Sequence, residues 1–361
     1  MLAVDARWMV GDYRGMGRYA HGLLLPFAGM TTALLPESYP ESRFPTVHRG
    51  NSFFPWWEQV ILPRLCLEHG ITRLLCPYNT APIRLPASVE LLLVVHDLIY
   101  LEPWARLPPS VSVIQTLGRI YRRHVVPLAI QRAAKLITVS EYTRDQLSQK
   151  FSIPKERIWV IPNSLGDSWY VDDGPLTPND RKPYLLCVSG EAPSKNVGAF
   201  IRAFSKFRAM LGSMAEELSL RIVGIKQPYQ SHFRRLAEDA GIANIIRFEP
   251  YLNESALQQL YREAWLFSMP SLYEGFGIPV LEAMASGTPV ACSNTTSLPE
   301  VVGGAGWLFD PRDESDMARQ LYAAWTDHIG RIERAQCGVI RAQMYRRTAI
   351  AESIINFWGA A

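Results

Sequence analysis

Two glutamates flank a short glycine-bearing loop in residues 271–287, which read SLYEGFGIPVLEAMASG. Glu274 stands before the loop and Glu282 follows it, with seven residues between them. Because Gly275 and Gly277 lack a Cβ, backbone N–H groups at the start of a following helix can come close to an anion such as a diphosphate. A carboxylate accepts hydrogen bonds from hydroxyl groups, often two at once. The pattern therefore indicates a molecule with sugars on either side of a diphosphate, which describes a nucleotide sugar.

Each glutamate also has an ordinary structural explanation. Glu282, in the first turn of a helix, would complement the helix dipole, and Glu274 would be a solvated loop residue. Pro279 suits the first helical turn and Gly287 suits the position just past the helix end, so a helix is predicted between them. Either glutamate alone favours the ordinary explanation, whereas both together between a strand and a helix favour binding.

The segment resembles the E-x7-E signature of the retaining glycosyltransferases of family 4, which adopt the GT-B fold, and the resemblance covers almost the whole chain. It implies that Glu274 contacts hydroxyl groups of the donor sugar and that Glu282 holds the ribose. The loop residues expected to bind the donor are Gly275, Phe276, Gly277 and Ile278.

A second segment, GEAPSKN, follows the first strand of the C-terminal half and is similar to the donor-phosphate segment of the family. The resemblance implies that Lys195 neutralises charge on the leaving diphosphate and that Ser189 and Gly190 bind the donor beside it. The alternative is a solvated surface lysine. Many family members also carry an arginine nearby, where this chain has Glu191 and Ser194.

His96 directly follows the apolar run ELLLVV, at the strand end where ligands of open α/β sheets usually bind. The resemblance implies that His96 approaches the donor sugar from the N-terminal domain, so that it forms the catalytic set with Lys195 and Glu274. A structural histidine beside a loop is the alternative.

Near the N-terminus, GDYRGMGRY resembles the glycine-rich loop of some bacterial polysaccharide and O-antigen mannosyl- and rhamnosyltransferases of the same family. Gly15, Gly17 and Arg18 are then expected to contact donor phosphate or acceptor, although a simple tight turn is a serious alternative. The spacing does not fit the dinucleotide fingerprint G-x-G-x-x-G. This resemblance favours GDP-mannose as donor and surface polysaccharide or lipopolysaccharide synthesis as the process.

Strand-like runs alternate with helical patterns along the 361 residues, which exceed the size of an ordinary single core. Strands are predicted at 90–96, 134–140, 184–189, 218–224, 245–248 and 265–269, and helices at 112–130, 197–211, 229–240, 255–263 and 341–358. We expect an α/β protein with two Rossmann-like domains whose parallel sheets face a central cleft. The predicted divisions are an acceptor domain at 1–165, a nucleotide-sugar donor domain at 166–340, and a C-terminal helix at 341–361 that crosses back to the first domain.

Charge is divided unequally along the chain, since residues 1–165 hold 18 Lys and Arg against 12 Asp and Glu, and the remainder holds 19 against 22. The modest excess of +6 and the lack of a nucleic-acid-binding signature exclude nucleic acid as an expected partner. An anionic membrane surface or a phosphorylated lipid acceptor suits the basic half better. The 112–130 helix is compatible with such contact through Arg119, Arg122, Arg123 and His124, although a solvated face is the commoner explanation.

No apolar run is long enough to span a bilayer and the N-terminus has no signal-like pattern, so we expect a cytoplasmic protein, peripheral on the inner face of the cytoplasmic membrane. The five cysteines include no C-x-x-C pair and are expected to be reduced core thiols. Because no D-x-D triplet occurs, we expect no metal and no other cofactor.

These expectations combine into a retaining transfer of a hexose, mannose from GDP-mannose, to a glycan or a polyprenyl-linked acceptor. Other sugar nucleotides with rhamnose, glucose or N-acetylglucosamine would leave a similar sequence. A sugar-nucleotide 2-epimerase and a phosphorylase are rival enzymes on the same fold, and a regulatory subunit that only binds nucleotide sugar is the non-catalytic rival.

Overall fold

The computed structural model describes residues 1–11, 15–110, 112–171, 175, 177, 180–250 and 252–359. Residues 12–14 of the GDYRGMGRY segment, and 172–174, 176 and 178–179 near the predicted linker, lie outside the described part. The chain divides into unit 1, with Met1–Glu102, Ile114–Ser164 and Ile350–Ala361, and unit 2, with Pro103–Val113 and Leu165–Ala349. The assignment of acceptor to one domain and donor to the other stays a prediction.

Unit 1 contains a parallel sheet of seven strands. They are β1 (Leu2–Asp5), β2 (Thr31–Leu35), β3 (Thr46–His48), β4 (Arg73–Cys76), β5 (Glu90–Val95), β6 (Lys135–Thr138) and β7 (Ile158–Val160). Their order in the sheet is β3-β2-β1-β4-β5-β6-β7. In β5 every residue after Glu90 is buried, as expected of a central parallel strand covered on both faces. The order reverses between β1 and β4, and such a switch point is where open α/β sheets bind ligands.

The first five helices of the chain lie between these strands in the sequence. They are α1 (Gly15–Leu24), α2 (Phe54–Trp56), α3 (Leu62–Glu68), α4 (Val113–Arg132) and α5 (Glu141–Phe151), with a π-helical turn at Trp57–Ile61 between α2 and α3. The α5 helix starts where the Ser140 side chain accepts a hydrogen bond from the Thr143 amide, an ordinary N-cap. The predicted helix 112–130 corresponds to α4.

Unit 2 contains a parallel sheet of six strands. They are β8 (Lys182–Val188), β9 (Ser219–Val223), β10 (Ile246–Glu249), β11 (Ala264–Met269), β12 (Val290–Ser293) and β13 (Gly306–Phe309). Their order is β10-β9-β8-β11-β12-β13, which is the Rossmann order with its switch point between β8 and β11. The predicted strands 184–189, 218–224, 245–248 and 265–269 coincide with β8 to β11.

The helices of unit 2 are α6 (Val197–Leu211), α7 (Gln227–Asp239), α8 (Glu254–Glu263), α9 (Ile278–Ala285), α10 (Leu298–Val302), α11 (Glu314–Thr326) and α12 (His328–Gln343). On α6, Phe200, Phe204 and Phe207 are buried among residues of β8, β9 and α11, because the apolar residues recur at helical spacing. Burial of each such side chain stabilises the fold by about 2–3 kcal/mol.

The prediction of one C-terminal helix at 341–358 is wrong. The chain forms α12 up to Gln343 and then α13 (Arg347–Gly359), with Met344, Tyr345 and Arg346 in a turn between them. The amphipathic pattern continues across this turn, so the periodicity alone did not reveal it. From Ile350 onward the segment belongs to unit 1, where the Trp358 indole donates to the Leu23 carbonyl at 2.9 Å.

Four of the five cysteines are buried, whereas Cys337 is exposed and is not the core thiol that was expected. In the described part of the chain, every helix is too short or too polar to cross a bilayer.

Candidate functional site

The Glu274 loop leaves the carboxyl end of β11 and ends where α9 begins at Ile278. Gly277 has a φ of 114°, a conformation that glycine adopts without strain. The loop backbone is fixed by two hydroxyls: the Thr296 Oγ1 accepts from the Glu274 amide at 3.2 Å, and the Ser297 Oγ donates to the Glu274 and Phe276 carbonyls. The backbone of the glutamate is therefore held at both its amide and its carbonyl by one neighbouring segment.

Lys195 reaches the Glu274 carboxylate, with 2.6 Å between its Nζ and the Oε1. The lysine ends a turn at Pro193–Lys195 that follows β8. Since β8 and β11 are neighbours at the switch point, the two loops leave the same edge of the sheet side by side. The structure thus brings together two of the three residues predicted to be catalytic, both within unit 2.

Glu282 lies on α9 and is buried, with its Oε2 accepting a hydrogen bond from the Tyr261 hydroxyl at 2.9 Å. Burial, and after it the Glu282 carboxylate, raise the pKa of Tyr261 well above its usual value. The phenol therefore stays protonated and donates to Glu282 at every physiological pH. Tyr261 was not predicted, because nothing in its local sequence connects α8 to α9.

The remaining donor-binding candidates of unit 2 differ in how accessible they are to a ligand. The Ser189 amide donates to the Val223 carbonyl at 2.8 Å, just beyond the end of β8. A Cβ added at Gly190 would meet no atom within 4 Å, so this glycine borders open space. The Phe276 ring is buried and packs edge-on against Tyr345 at 5.4 Å, so only its backbone is available to a ligand. Gly275 and Ile278 are half-buried beside it.

A basic side chain approaches the segment where the family arginine is absent. Lys226, which follows β9, lies 4.0 Å from the Glu191 carboxylate and its side chain is 73% exposed. Ser194 is buried and its carbonyl accepts from the Leu272 amide, so it serves the loop structure. Lys226 is a candidate substitute for this arginine. It was not predicted from the sequence, because it lies on the loop after β9 and not on the loop after β8.

In unit 1, His96 follows β5 and is buried. Its Nε2 lies 2.9 Å from the Pro77 carbonyl, which can only accept, so Nε2 carries the proton in the neutral ring and Nδ1 is the acceptor. Burial lowers the pKa of His96 to about 4, and the hydrogen bond to Pro77 opposes this only in part. His96 is therefore a neutral imidazole near pH 7.

Residues 15–19 of the predicted glycine-rich loop are helical and do not form a tight turn, because α1 begins at Gly15. Gly17 is buried in the first turn and Arg18 is exposed. Tyr19 packs edge-on against the His96 ring at 5.1 Å and donates its hydroxyl hydrogen to the Ile161 carbonyl. The helix therefore brings its first turn close to the carboxyl end of β5.

A buried group of charges at the end of β1 was not predicted. Arg7 binds the Asp5 carboxylate through two nitrogens at 2.9 and 2.6 Å, and its guanidinium lies 3.7 Å from Glu58. Burial raises the pKa of Glu58, although Arg7 and the hydroxyls of Thr80 and Tyr121 act against the shift. Glu58, Thr80 and Tyr121 are far in sequence from Asp5 and Arg7, and the group belongs to no motif, so only the fold reveals it.

Among the described residues, no group of three or more His, Cys, Asp or Glu side chains could hold a metal ion. The expectation of a metal-independent protein stays a prediction.

Two family models match successive parts of the chain: Glycosyltransferase Family 4 at residues 28–165 and Glycosyl transferases group 1 at residues 172–338. The chain is similar to the O-antigen chain mannosyltransferase B of Escherichia coli, with 31% identity over 63% of this chain and 61% of the relative. It is also similar to the O-antigen chain mannosyltransferase RfbU of Salmonella typhimurium, with 25% identity over 78% of this chain and 71% of the relative. A serotype-specific mannosyltransferase WbdA of E. coli matches at 32% identity, and there the chain spans 25% of the relative's length.

Solved structures of low sequence identity share the fold. WaaG, a glycosyltransferase involved in lipopolysaccharide biosynthesis, superposes with a TM-score of 0.74 at 18% identity, over 98% of both chains. HepE from Anabaena in complex with UDP and glucose gives 0.73 at 18% identity, over 100% of this chain and 99% of that one. Two Rossmann-like units with parallel sheets match the GT-B structures, which confirms the predicted fold class. The chain therefore belongs to the GT-B glycosyltransferases, with a Family 4 amino-terminal part and a group 1 carboxy-terminal part.

Proposed function

We propose that the chain is a retaining hexosyltransferase that moves mannose from GDP-mannose to a glycan or polyprenyl-linked acceptor. The observation that carries the proposal is the pair formed by Lys195 and Glu274, with 2.6 Å between Nζ and Oε1, at the switch point of unit 2. A cation for the diphosphate and a carboxylate for sugar hydroxyls thereby lie together at the carboxyl edge of the unit 2 sheet. The names of the bacterial relatives support mannose as the sugar.

In the proposed reaction, the bond from the sugar C1 to the diphosphate oxygen breaks and the acceptor oxygen bonds to C1 on the same face. The acceptor proton passes to the departing phosphate oxygen, so no enzymic nucleophile is required. Lys195 and the amides of the loop before α9 stabilise the diphosphate as its negative charge develops. Glu274 orients the sugar hydroxyls and Glu282, held by Tyr261, orients the ribose.

Within this proposal, His96 acts as a hydrogen-bond acceptor. With its Nε2 hydrogen donated to Pro77, its Nδ1 can accept a hydrogen bond from a sugar hydroxyl. Its role toward the donor stays a prediction.

The donor is tested by a thermal-shift and hydrolysis screen with GDP-mannose, UDP-glucose, UDP-N-acetylglucosamine, UDP-galactose and dTDP-rhamnose. Selective stabilisation by GDP and GDP-mannose supports the proposal, whereas a UDP or dTDP response replaces the donor. Interconversion of UDP-N-acetylhexosamines without acceptor would indicate the epimerase, and binding without hydrolysis or transfer would indicate the non-catalytic subunit.

The site is tested by the substitutions Lys195→Ala and Glu274→Ala. We expect each to lower kcat on the order of 100-fold or more, because a group that acts on transition-state charge or on substrate orientation is lost. The matched control is the Lys182 and Glu263 pair, which has the same 2.6 Å separation in the same unit but involves the start of β8. Lys182→Ala should leave kcat unchanged, and near-normal activity of Lys195→Ala or Glu274→Ala would reject the site.

We further propose that the chain binds the surface of an anionic membrane through α4. Ile114, Leu117 and Ile120 on this helix are 83%, 60% and 43% exposed, which leaves an apolar stripe in water. Two of the arginines predicted to serve this contact have other partners, since Arg119 and Arg123 donate to the backbone carbonyl of Glu102. The apolar stripe rather than the basic residues therefore supports the proposal, and binding to lipid vesicles is the measurement that decides it.

A further inference from the structure

Four residues other than glycine have positive φ angles among the described residues: Asn79 at 68°, Ser152 at 53°, Asn196 at 58° and Thr296 at 57°. Such angles are uncommon for any L-residue and most unfavourable for a β-branched one such as Thr296. Ser152 ends α5, where a left-handed residue is ordinary. The other three follow the carboxyl ends of β4, β8 and β12.

Thr296 acts on the backbone of Glu274. Its Oγ1 accepts from the Glu274 amide at 3.2 Å, and the neighbouring Ser297 Oγ donates to the Glu274 carbonyl at 3.1 Å. The left-handed turn at Thr296 presents both hydroxyls to the same residue. The direction of the Glu274 side chain therefore depends on this turn.

Asn79 acts on the backbone of His96. Its side-chain Oδ1 accepts a hydrogen bond from the His96 backbone amide at 2.6 Å, and its backbone amide donates to the Val94 carbonyl at 3.0 Å. The two bonds tie the residue after β4 to the end of β5. His96 is thereby held at its backbone amide by Asn79 and at its ring Nε2 by Pro77.

Asn196 directly follows Lys195. Its Nδ2 donates to the carbonyls of Pro270 and Pro311, at 3.1 and 2.7 Å. Pro270 is the first residue after β11, so Asn196 fastens the lysine turn to the start of the Glu274 loop. The 2.6 Å approach of Lys195 to Glu274 depends on that connection.

Glycine would adopt each of these three angles without a steric penalty, but it could not make the side-chain hydrogen bonds. Strained residues persist where the surroundings require them, most often at functional sites. We propose that Asn79, Asn196 and Thr296 are positioning residues for His96, Lys195 and Glu274, respectively. This inference rests on the proposed transferase function, because it takes the roles of those three residues from it.

The test compares Thr296→Gly, Asn79→Gly and Asn196→Gly with the unaltered chain, with Ser152→Gly as the matched control. The donor is the sugar nucleotide that gives the largest thermal shift, and the readouts are hydrolysis kcat, donor KM, affinity for the nucleoside diphosphate and melting temperature. We expect each of the first three variants to lose kcat on the order of 10- to 100-fold, because a displacement of about 1 Å can have an effect of that size. Melting temperature should stay close to that of the unaltered chain in all three variants, since glycine relieves the backbone strain. Nucleoside diphosphate affinity should stay close in Thr296→Gly and Asn79→Gly, and it should weaken in Asn196→Gly, because Lys195 is the proposed cation for the diphosphate.

Thr296→Ser keeps the hydroxyl and should retain most of the kcat, and Ser152→Gly should retain all of it. The inference is overturned if the three glycine variants keep full kcat, or if their kcat falls only together with melting temperature. Glu274→Ala, measured alongside, separates the two proposals. An active Glu274→Ala rejects the proposed site itself, whereas an inactive Glu274→Ala with an active Thr296→Gly rejects only the positioning role.

Discussion

His96 shows how burial determines the charge of a side chain that was assigned a role from sequence. Its ring is enclosed in unit 1, between the Pro77 carbonyl and the Tyr19 ring. Desolvation disfavours the imidazolium, and this lowers the pKa of His96 from about 6.5 to about 4. A neutral histidine can exchange hydrogen bonds with hydroxyl groups, whereas it cannot supply the positive charge that a diphosphate needs. Within the described site of unit 2, Lys195 can supply that charge.

The lowered pKa of His96 predicts a pH dependence of stability. Between pH 6.5 and 4 the unfolded chain binds a proton at this residue that the folded chain does not, so the stabilising contribution is complete above pH 6.5 and is lost as the pH falls toward 4. The loss amounts to about 3 kcal/mol at the acid end. Urea unfolding of the unaltered chain and of His96→Gln at pH 7 and pH 4.5 measures it. Equal pH dependence of the two proteins would contradict the prediction.

At the scale of elements, the loop between β11 and α9 depends on backbone conformations that a few residues permit. Gly277 precedes α9 at a φ of 114°, and Gly287 follows the helix at 70°. The predicted helix limits agree with these positions, because proline near the N-terminus and glycine beyond the C-terminus are strong local signals. Glu282 is buried on the helix between them, so the ends of α9 determine where that carboxylate lies.

Gly277→Ala should disturb both stability and binding. The new Cβ would lie 2.6 Å from the Leu298 Cδ2, which is buried, and the φ angle is unfavourable for alanine. We expect a loss of about 1–3 kcal/mol in the free energy of unfolding and weaker binding of nucleoside diphosphate. Gly241→Ala is the control, since Gly241 also has a positive φ of 69° but a Cβ there would meet nothing within 4 Å. Calorimetric binding and denaturant unfolding provide the readouts, and unchanged nucleotide affinity in Gly277→Ala would be the contrary result.

Local sequence patterns predicted elements well and long-range contacts poorly. The helix predicted at 197–211 is α6 with the same limits, because its apolar residues recur at helical spacing. The break after Gln343 was missed, since a helical pattern continues through it. The hydroxyl of Thr296 and the buried Arg7 group were also missed, because both depend on residues brought together by the sheet order. Lys195 and Glu274 were assigned to one site only through the family resemblance, and the 2.6 Å contact between their side chains was not predicted.

At the scale of the whole molecule, the two parts of the chain differ in charge and in exposed apolar surface. The first 165 residues have a net charge of +6 and the remainder −3, although the chain total is only +3. The exposed stripe of α4 belongs to the basic part, whereas the candidate donor residues Lys195, Glu274 and Glu282 lie in unit 2. The proposed membrane contact and the proposed donor site therefore involve different residues and can be altered separately.

This separation predicts that a charge placed on the α4 stripe abolishes vesicle binding and leaves nucleotide binding intact. Leu117→Glu should lower co-sedimentation with vesicles that contain anionic lipid, because it puts a carboxylate where an apolar side chain would enter the headgroup region. Leu67→Glu is the control, since Leu67 is 66% exposed on α3 and carries no part of the stripe. Binding of the unaltered chain should weaken with added salt, as attraction between the basic part and anionic lipid is screened. If Leu117→Glu and Leu67→Glu sediment alike, α4 is not the contact surface, and the stripe would then have to be explained by another partner.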